Sequence, residues 1–215
     1  MCLALSVAGG LAAAREFVPV FTSDAAVADG FASLSSDVPQ SGASDHSRDL
    51  VLDSCRVTMG SIYARIQPED DWRQLLVNCQ RVAAEMTETM PAYSYGWLVR
   101  AMADAELGDA ASFNRSIEMS QATAPDISWL ALNRALLVEA HYEMISAELQ
   151  SAHEADLRRS VASYASLPAI ARLYASDPDF RPRMNGLVEA MSEADQARFL
   201  DAVKYVVARR GNLAS

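Results

Sequence analysis

The stretch that decides the fold runs from Pro91 to Pro125 and reads PAYSYGWLVRAMADAELGDAASFNRSIEMSQATAP. Its first half carries apolar side chains at the three- and four-residue spacing of a helix that packs on a core. They are Tyr95, Trp97, Leu98, Met102, Ala105 and Leu107. Gly108 suits the left-handed position after a helix, and Asp109 suits the N-cap of the next one. The second half carries Phe113 and ends at Pro125, so the stretch predicts a helical hairpin.

The same periodicity continues on both sides of this hairpin. It predicts helices over about 48–66, 68–90, 127–145, 149–164, 167–175, 178–191 and 193–210. The helix that begins at Ile127 is apolar nearly all round, which is typical of a central, buried helix. No segment shows the alternation of a strand. The sequence therefore predicts an all-α fold of antiparallel helical hairpins with additional C-terminal helices.

The spacing within Pro91–Pro125 resembles a tetratricopeptide repeat. In that family two antiparallel helices are joined at a glycine and closed by a proline about 34 residues after the preceding one. Trp97 takes the aromatic position, Ala101 the small position where the two helices touch, and Gly108 the turn. Asp104 and Phe113 depart from the pattern, because the family has tyrosine and a small residue there. The resemblance covers about residues 60–160, and a generic helical bundle is the alternative.

The resemblance implies a scaffold that binds protein segments on a concave face built by the first helix of each hairpin. The corresponding positions are Tyr95, Leu98, Met102, Trp129, Leu132 and Leu136. Such an apolar groove would hold an amphipathic helix or a hydrophobic peptide. Large exposed apolar patches are uncommon on monomers, so the alternative is that another part of the chain fills the groove.

The composition argues against several classes of protein. The chain has 215 residues, 51% of them hydrophobic, and a formal net charge of -10. The hydrophobic content excludes disorder throughout. The acidic balance argues against a nucleic-acid surface, which needs excess positive charge. No apolar run reaches the roughly 18 residues that a membrane span requires.

The first residues predict an export signal. Residues 1–14 are uncharged and apolar and end in three alanines, although the usual basic start is missing. A helix that packs on the domain is the alternative. Residues 15–47 are predicted to be a disordered acidic linker, because their second half is rich in Ser, Asp, Gly and Pro. Residues 48–212 are then predicted to form a single helical domain.

Two of the three cysteines fall at matching positions in the first predicted hairpin. Cys55 and Cys79 each lie about twelve residues from the turn at Pro68, so they would stand at the same height and could form a disulfide. Together with an export signal, a disulfide indicates an oxidising compartment such as the bacterial periplasm. The alternative is a pair of reduced core cysteines.

Catalytic motifs are hard to find in this sequence. It has no glycine-rich phosphate loop, no GxSxG and no CxxC. His153 opens a HExxH-like run that lacks the second histidine, and we interpret it as part of a solvated helix face. Pairs such as Arg158 and Arg159 could meet an anion, but partnership with surface carboxylates is favoured. We therefore predict no catalytic residue, cofactor or metal.

The combined hypothesis is a non-enzymatic, protein-binding adaptor of the bacterial cell envelope. By analogy, it would be an accessory to polysaccharide or envelope assembly. One alternative is a helical hydrolase or lyase with a site between the repeat region and the C-terminal helices, which a cleft lined by convergent polar groups would support. A second alternative is a self-associating structural subunit, which would form a homo-oligomer.

Overall fold

The computed structural model describes residues 16–17, 19–20 and 26–213. The predicted export signal at residues 1–14 lies outside this part. The described residues form eleven α-helices and no strand, which confirms the all-α prediction. The helices are α1 Val27–Ser36, α2 Asp45–Met59, α3 Ile62–Arg65, α4 Glu69–Thr89, α5 Ser94–Glu106, α6 Ala110–Thr123, α7 Ser128–Ala140, α8 Gln150–Ala162, α9 Leu167–Ser176, α10 Phe180–Glu189 and α11 Glu193–Leu213.

Local signals explain where several helices begin and end. Ser44 and Ser61 cap α2 and α3, because each side-chain oxygen accepts a hydrogen bond from a backbone N–H three residues later. The carboxylate of Asp109 accepts from the Ser112 N–H at the start of α6. Gly108 has a φ of +76°, the left-handed conformation that lets α5 end and the chain turn.

The chain divides into two compact units, residues 1–120 and 121–215. This differs from the single domain predicted over 48–212. In the first unit α4 packs along α5 and α1, and α2 packs against α5. Its core includes Leu52, Leu75, Leu76 and Leu98, all nearly inaccessible to solvent.

Helix α1 corrects the prediction that residues 15–47 are a disordered linker. Phe31 and Leu34 of α1 are buried in the first unit, and Phe31 makes an edge-to-face contact with Tyr63. The buried amide of Asn78 donates a 2.8 Å hydrogen bond to the Leu34 carbonyl oxygen near the end of α1. These contacts with residues distant in sequence outweigh the polar composition of the segment, and α2 likewise begins at Asp45, inside the predicted linker.

The second unit has its own core, to which helices α7 to α11 contribute. Its buried members include Leu157, Ile170, Phe180, Met184 and Phe199. Leu132 and Leu136 of α7 pack against this core and remain partly exposed. Helix α7 is therefore less buried than its composition predicts, since Trp129 at its start is 49% exposed.

Candidate functional site

The six predicted groove positions divide between the two units and differ in burial. Tyr95, Leu98 and Met102 belong to the first unit, and the other three belong to the second. Leu98 is fully buried and Tyr95 is 6% exposed, whereas Met102 is partly exposed. Tyr95 and Leu98 are therefore core residues rather than groove-lining ones, which corrects this part of the prediction.

Helix α2 is the physical reason for this correction. It packs against α5, the helix that carries both residues. The Tyr95 hydroxyl donates a 2.5 Å hydrogen bond to Asp53 on α2 and accepts one from Arg56. Burial, followed by the bond to Asp53, raises the pKa of Tyr95. The segment that covers this half of the predicted groove thus belongs to the chain itself.

The second half of the predicted groove is Trp129, Leu132 and Leu136. Together with Ile127, which directly precedes the helix, these residues form a surface that we call the α7 face. Ile127 and Trp129 are 44% and 49% exposed, and the two leucines are partly exposed. Trp129, Leu132 and Leu136 lie three and four residues apart, a spacing that keeps them on one side of the helix. An amphipathic helix engages a partner through anchors at this same spacing.

The residues that carry the repeat resemblance have structural roles in the hairpin α5–α6. The Trp97 indole N–H donates to the Pro91 carbonyl oxygen at 2.8 Å, and Ala101 is fully buried. Asp104, which stands where the family has tyrosine, is fully buried and accepts hydrogen bonds from Gln80 and Ser116. Burial is the largest effect on the pKa of Asp104 and raises it, whereas the hydrogen bonds from Gln80 and Ser116 lower it by less.

The structure joins Cys55 and Cys79 in a disulfide. The bond links α2 to α4, with the two Cα atoms 5.7 Å apart, and both residues are completely buried. This is the pairing that the matched heights in the first hairpin predict. Because the bond lies inside the core of the first unit, its role there is structural.

A buried polar cluster in the second unit corrects the interpretation of His153 as part of a solvated helix face. His153 of α8 is 5% exposed, and its Nε2 lies 2.6 Å from Oε1 of Glu139 on α7. The other Glu139 oxygen accepts from Arg183 of α10 at 2.5 Å. The Arg183 guanidinium in turn stacks 3.8 Å from the ring centre of Tyr142. We call Glu139, Tyr142, His153 and Arg183 the histidine cluster.

A cavity of about 120 Å³ opens beside the histidine cluster. All four cluster residues line it, together with Gln150, Glu154, Leu157 and Leu187. Among the described residues, His153 Nδ1 and Arg183 Nε are both buried without a hydrogen-bond partner. An unpaired buried polar atom costs about 1–3 kcal/mol, so this cluster is held together at some cost in stability.

A second buried ion pair in the same unit has a structural role. Arg134 of α7 is fully buried and donates two 2.7 Å hydrogen bonds to Asp156 of α8. It also donates to the Ala124 carbonyl oxygen. The guanidinium thus fastens α7 to α8 through a bidentate contact, the geometry in which arginine and a carboxylate bind best.

The sequence pattern predicted neither the histidine cluster nor the ion pair between Arg134 and Asp156. The reason is the same for both. Glu139 and Arg183 are 44 residues apart, and only the packing of α7 against α8 and α10 brings them to His153. A usable signal was present in α7, where Arg134 and Glu139 interrupt a helix that is otherwise apolar nearly all round. A charged residue in such a helix must find a partner when the helix is buried.

Arg158 and Arg159 each pair with a carboxylate. Arg158 pairs with Glu154 at 2.9 Å, and Arg159 pairs with Asp126. Within the part of the chain that the structure describes, no group of three or more His, Cys, Asp or Glu side chains could hold a metal ion. No helix in that part has the length and hydropathy to cross a membrane.

Comparison with known proteins gives no family for the chain. No protein-family model matches it, and it matches neither a curated protein nor a solved structure.

Proposed function

We propose that the protein is a non-enzymatic scaffold of tetratricopeptide-like hairpins that binds a helical segment of another protein on the α7 face. The observation that carries the proposal is the exposure of Trp129. This residue stands at a position where the repeat resemblance expects partner binding, and it remains 49% exposed beside Ile127. Tryptophan is among the residues that most often dominate the energy of protein interfaces.

The partner is an amphipathic helix whose polar side is basic. Trp129, Leu132 and Leu136 offer anchors at helical spacing for its apolar side. The chain has a net charge of -10, so a basic segment is attracted over long range and an acidic one is repelled.

The compartment we propose is the bacterial periplasm or the extracellular space. The disulfide between Cys55 and Cys79 supports an oxidising compartment, as does the export signal expected at residues 1–14. An accessory role in polysaccharide or envelope assembly is the setting we propose for the adaptor.

Fluorescence anisotropy with a labelled synthetic peptide tests the binding proposal. The peptide has about 18 residues, with leucines at helical spacing and lysines on the opposite side. We expect saturable binding that Trp129→Ala weakens at least tenfold, because the main anchor is lost. Tyr164→Ala is the matched control, since Tyr164 is an 80% exposed aromatic residue of the same unit and lies outside the α7 face.

Three outcomes would contradict this function. Equal affinity of the wild type and Trp129→Ala would remove the α7 face as the site. Equal affinity for a peptide of the same composition in scrambled order would reduce the binding to charge alone. A mass that rises with concentration in light scattering, and falls in Trp129→Ala, would assign the face to a second copy of the chain.

A further inference from the structure

Helix α11 carries an exposed surface that is separate from the α7 face. Phe199 and Val206 are buried on one side of this helix, and Leu200 and Val207 beside them are 53% and 54% exposed. The two exposed residues belong to a line of five exposed side chains, which we call the α11 row: Glu193, Ala197, Leu200, Lys204 and Val207. We infer that the α11 row packs against the α11 row of a second copy of the chain, with the two helices antiparallel, and so forms a symmetric dimer.

The spacing of the α11 row is that of a coiled-coil seam. Its members are separated by four, three, four and three residues, which is the seven-residue repeat by which two helices pack along each other. At 3.6 residues per turn, positions with this spacing stay within about 80° of one another around the helix. Single exposed apolar residues are ordinary on a protein surface, but a complete seam turned away from the core indicates a second helix.

The side chains of the α11 row complement those of a second copy. The midpoint between Glu193 and Lys204 along the helix is also the midpoint between Ala197 and Leu200. Two antiparallel helices that meet at this point therefore place the Glu193 carboxylate of each copy beside the Lys204 ammonium of the other. They also place the small Ala197 of each copy beside the larger Leu200 of the other. Two-fold symmetry makes every such contact occur twice.

Charge selects the antiparallel orientation. Two parallel helices in register would place Lys204 against Lys204 and Glu193 against Glu193, and like charges in a seam repel. Antiparallel helices also bring the positive N-terminal end of each dipole beside the negative C-terminal end of the other. Lys204 is free to pair across this contact, because its 3.4 Å ion pair with Asp201 is exposed on both sides and contributes little.

Exchange of the two row charges tests the inference on the full-length protein. Analytical ultracentrifugation over a range of concentrations should give a mass that rises toward twice that of the chain. Glu193→Lys and Lys204→Glu each create two like-charge contacts, so either change should weaken the dimer about fivefold or more. The double variant restores two opposite-charge contacts with their signs reversed, so its dimer affinity should return close to that of the wild type.

Two apolar residues of α11 provide a matched pair of variants. Leu200→Ser removes an apolar seam residue at the centre of the contact and should weaken the dimer about tenfold or more. Tyr205 is 61% exposed on the same helix and lies outside the α11 row, so Tyr205→Ser should leave the dimer unchanged. Circular dichroism establishes that both variants are folded.

Three results would overturn the inference. A chain that remains monomeric at about 1 mM would show that the α11 row does not bind a second copy. A double charge variant that dimerises as poorly as the single variants would exclude the antiparallel contact between Glu193 and Lys204. An equal loss in Leu200→Ser and Tyr205→Ser would place the contact elsewhere.

The dimer and the proposed peptide binding fail separately. Trp129→Ala should leave the dimer unchanged, because Trp129 lies on α7 and outside the α11 row. Leu200→Ser should leave the affinity for the labelled peptide unchanged for the corresponding reason. If Trp129→Ala also dissociates the dimer, the α7 face forms the contact between copies, and the assignment to the α11 row is wrong.

Discussion

Reduction of the disulfide between Cys55 and Cys79 is expected to destabilise the first unit by about 3.5 kcal/mol. The two cysteines are 24 residues apart in the sequence. In the chain-entropy model, closing a loop of that length removes about 11.6 cal/mol/K from the unfolded chain, which is about 3.5 kcal/mol at 25 °C. For a urea dependence of about 2 kcal/mol/M, the unfolding midpoint should fall by about 1.7 M.

Urea unfolding with and without reductant measures this change. The variant Trp129→Phe leaves Trp72 and Trp97 as the only tryptophans, both in the first unit, so their fluorescence reports on that unit. The double variant Cys55→Ala with Cys79→Ala is the control, and its midpoint should not respond to reductant. A midpoint shift in the disulfide-containing protein below about 0.5 M would refute the reasoning, because the bond would then add little constraint.

Three further predictions concern buried charge and backbone conformation. Asp156→Ala leaves Arg134 buried without its carboxylate, so the free energy of unfolding in urea should fall by about 3–5 kcal/mol. The control is Asp201→Ala at an exposed ion pair, which should lower it by less than about 1 kcal/mol. Equal losses in the two variants would contradict the role of the buried pair. The raised pKa of Asp104 means that the folded state holds this proton more tightly than the unfolded state, so stability is lost as pH rises from 3.8 through the raised pKa. Asp104→Asn should therefore gain stability relative to the wild type between pH 4 and pH 7, and an unchanged difference would disprove the assignment. Gly108→Ala should cost about 1 kcal/mol because φ is +76°, and no loss of thermal stability would contradict this.

The helices were largely predictable from the sequence because local signals mark their ends. Pro68 precedes α4, Gly108 ends α5, and α6 stops before Pro125, where the apolar periodicity also ends. The exception is α1, which lies in a segment of polar composition. It folds because Phe31 and Leu34 are buried against residues far along the chain, and the local sequence pattern does not predict those contacts.

The candidate sites were predictable only in part. Of the positions that the resemblance indicates, Trp129 is 49% exposed, whereas Leu98 is covered because α2 lies against α5. The histidine cluster was missed because its members lie on three α-helices and on the turn after α7, and they have no characteristic spacing. Periodicity within one helix identifies an apolar face. Tertiary contacts then decide whether the chain itself covers that face or leaves it exposed to a partner.

Because Glu139 binds two partners, the structure predicts which substitutions the sequence tolerates at these positions. One oxygen serves His153 and the other serves Arg183, so replacing either partner still leaves the carboxylate one hydrogen bond. Replacing Glu139 removes the acceptor from both partners at once. Among natural variants of this chain, position 139 should therefore be the least tolerant of the three. Where it does change, positions 153 and 183 are expected to change with it.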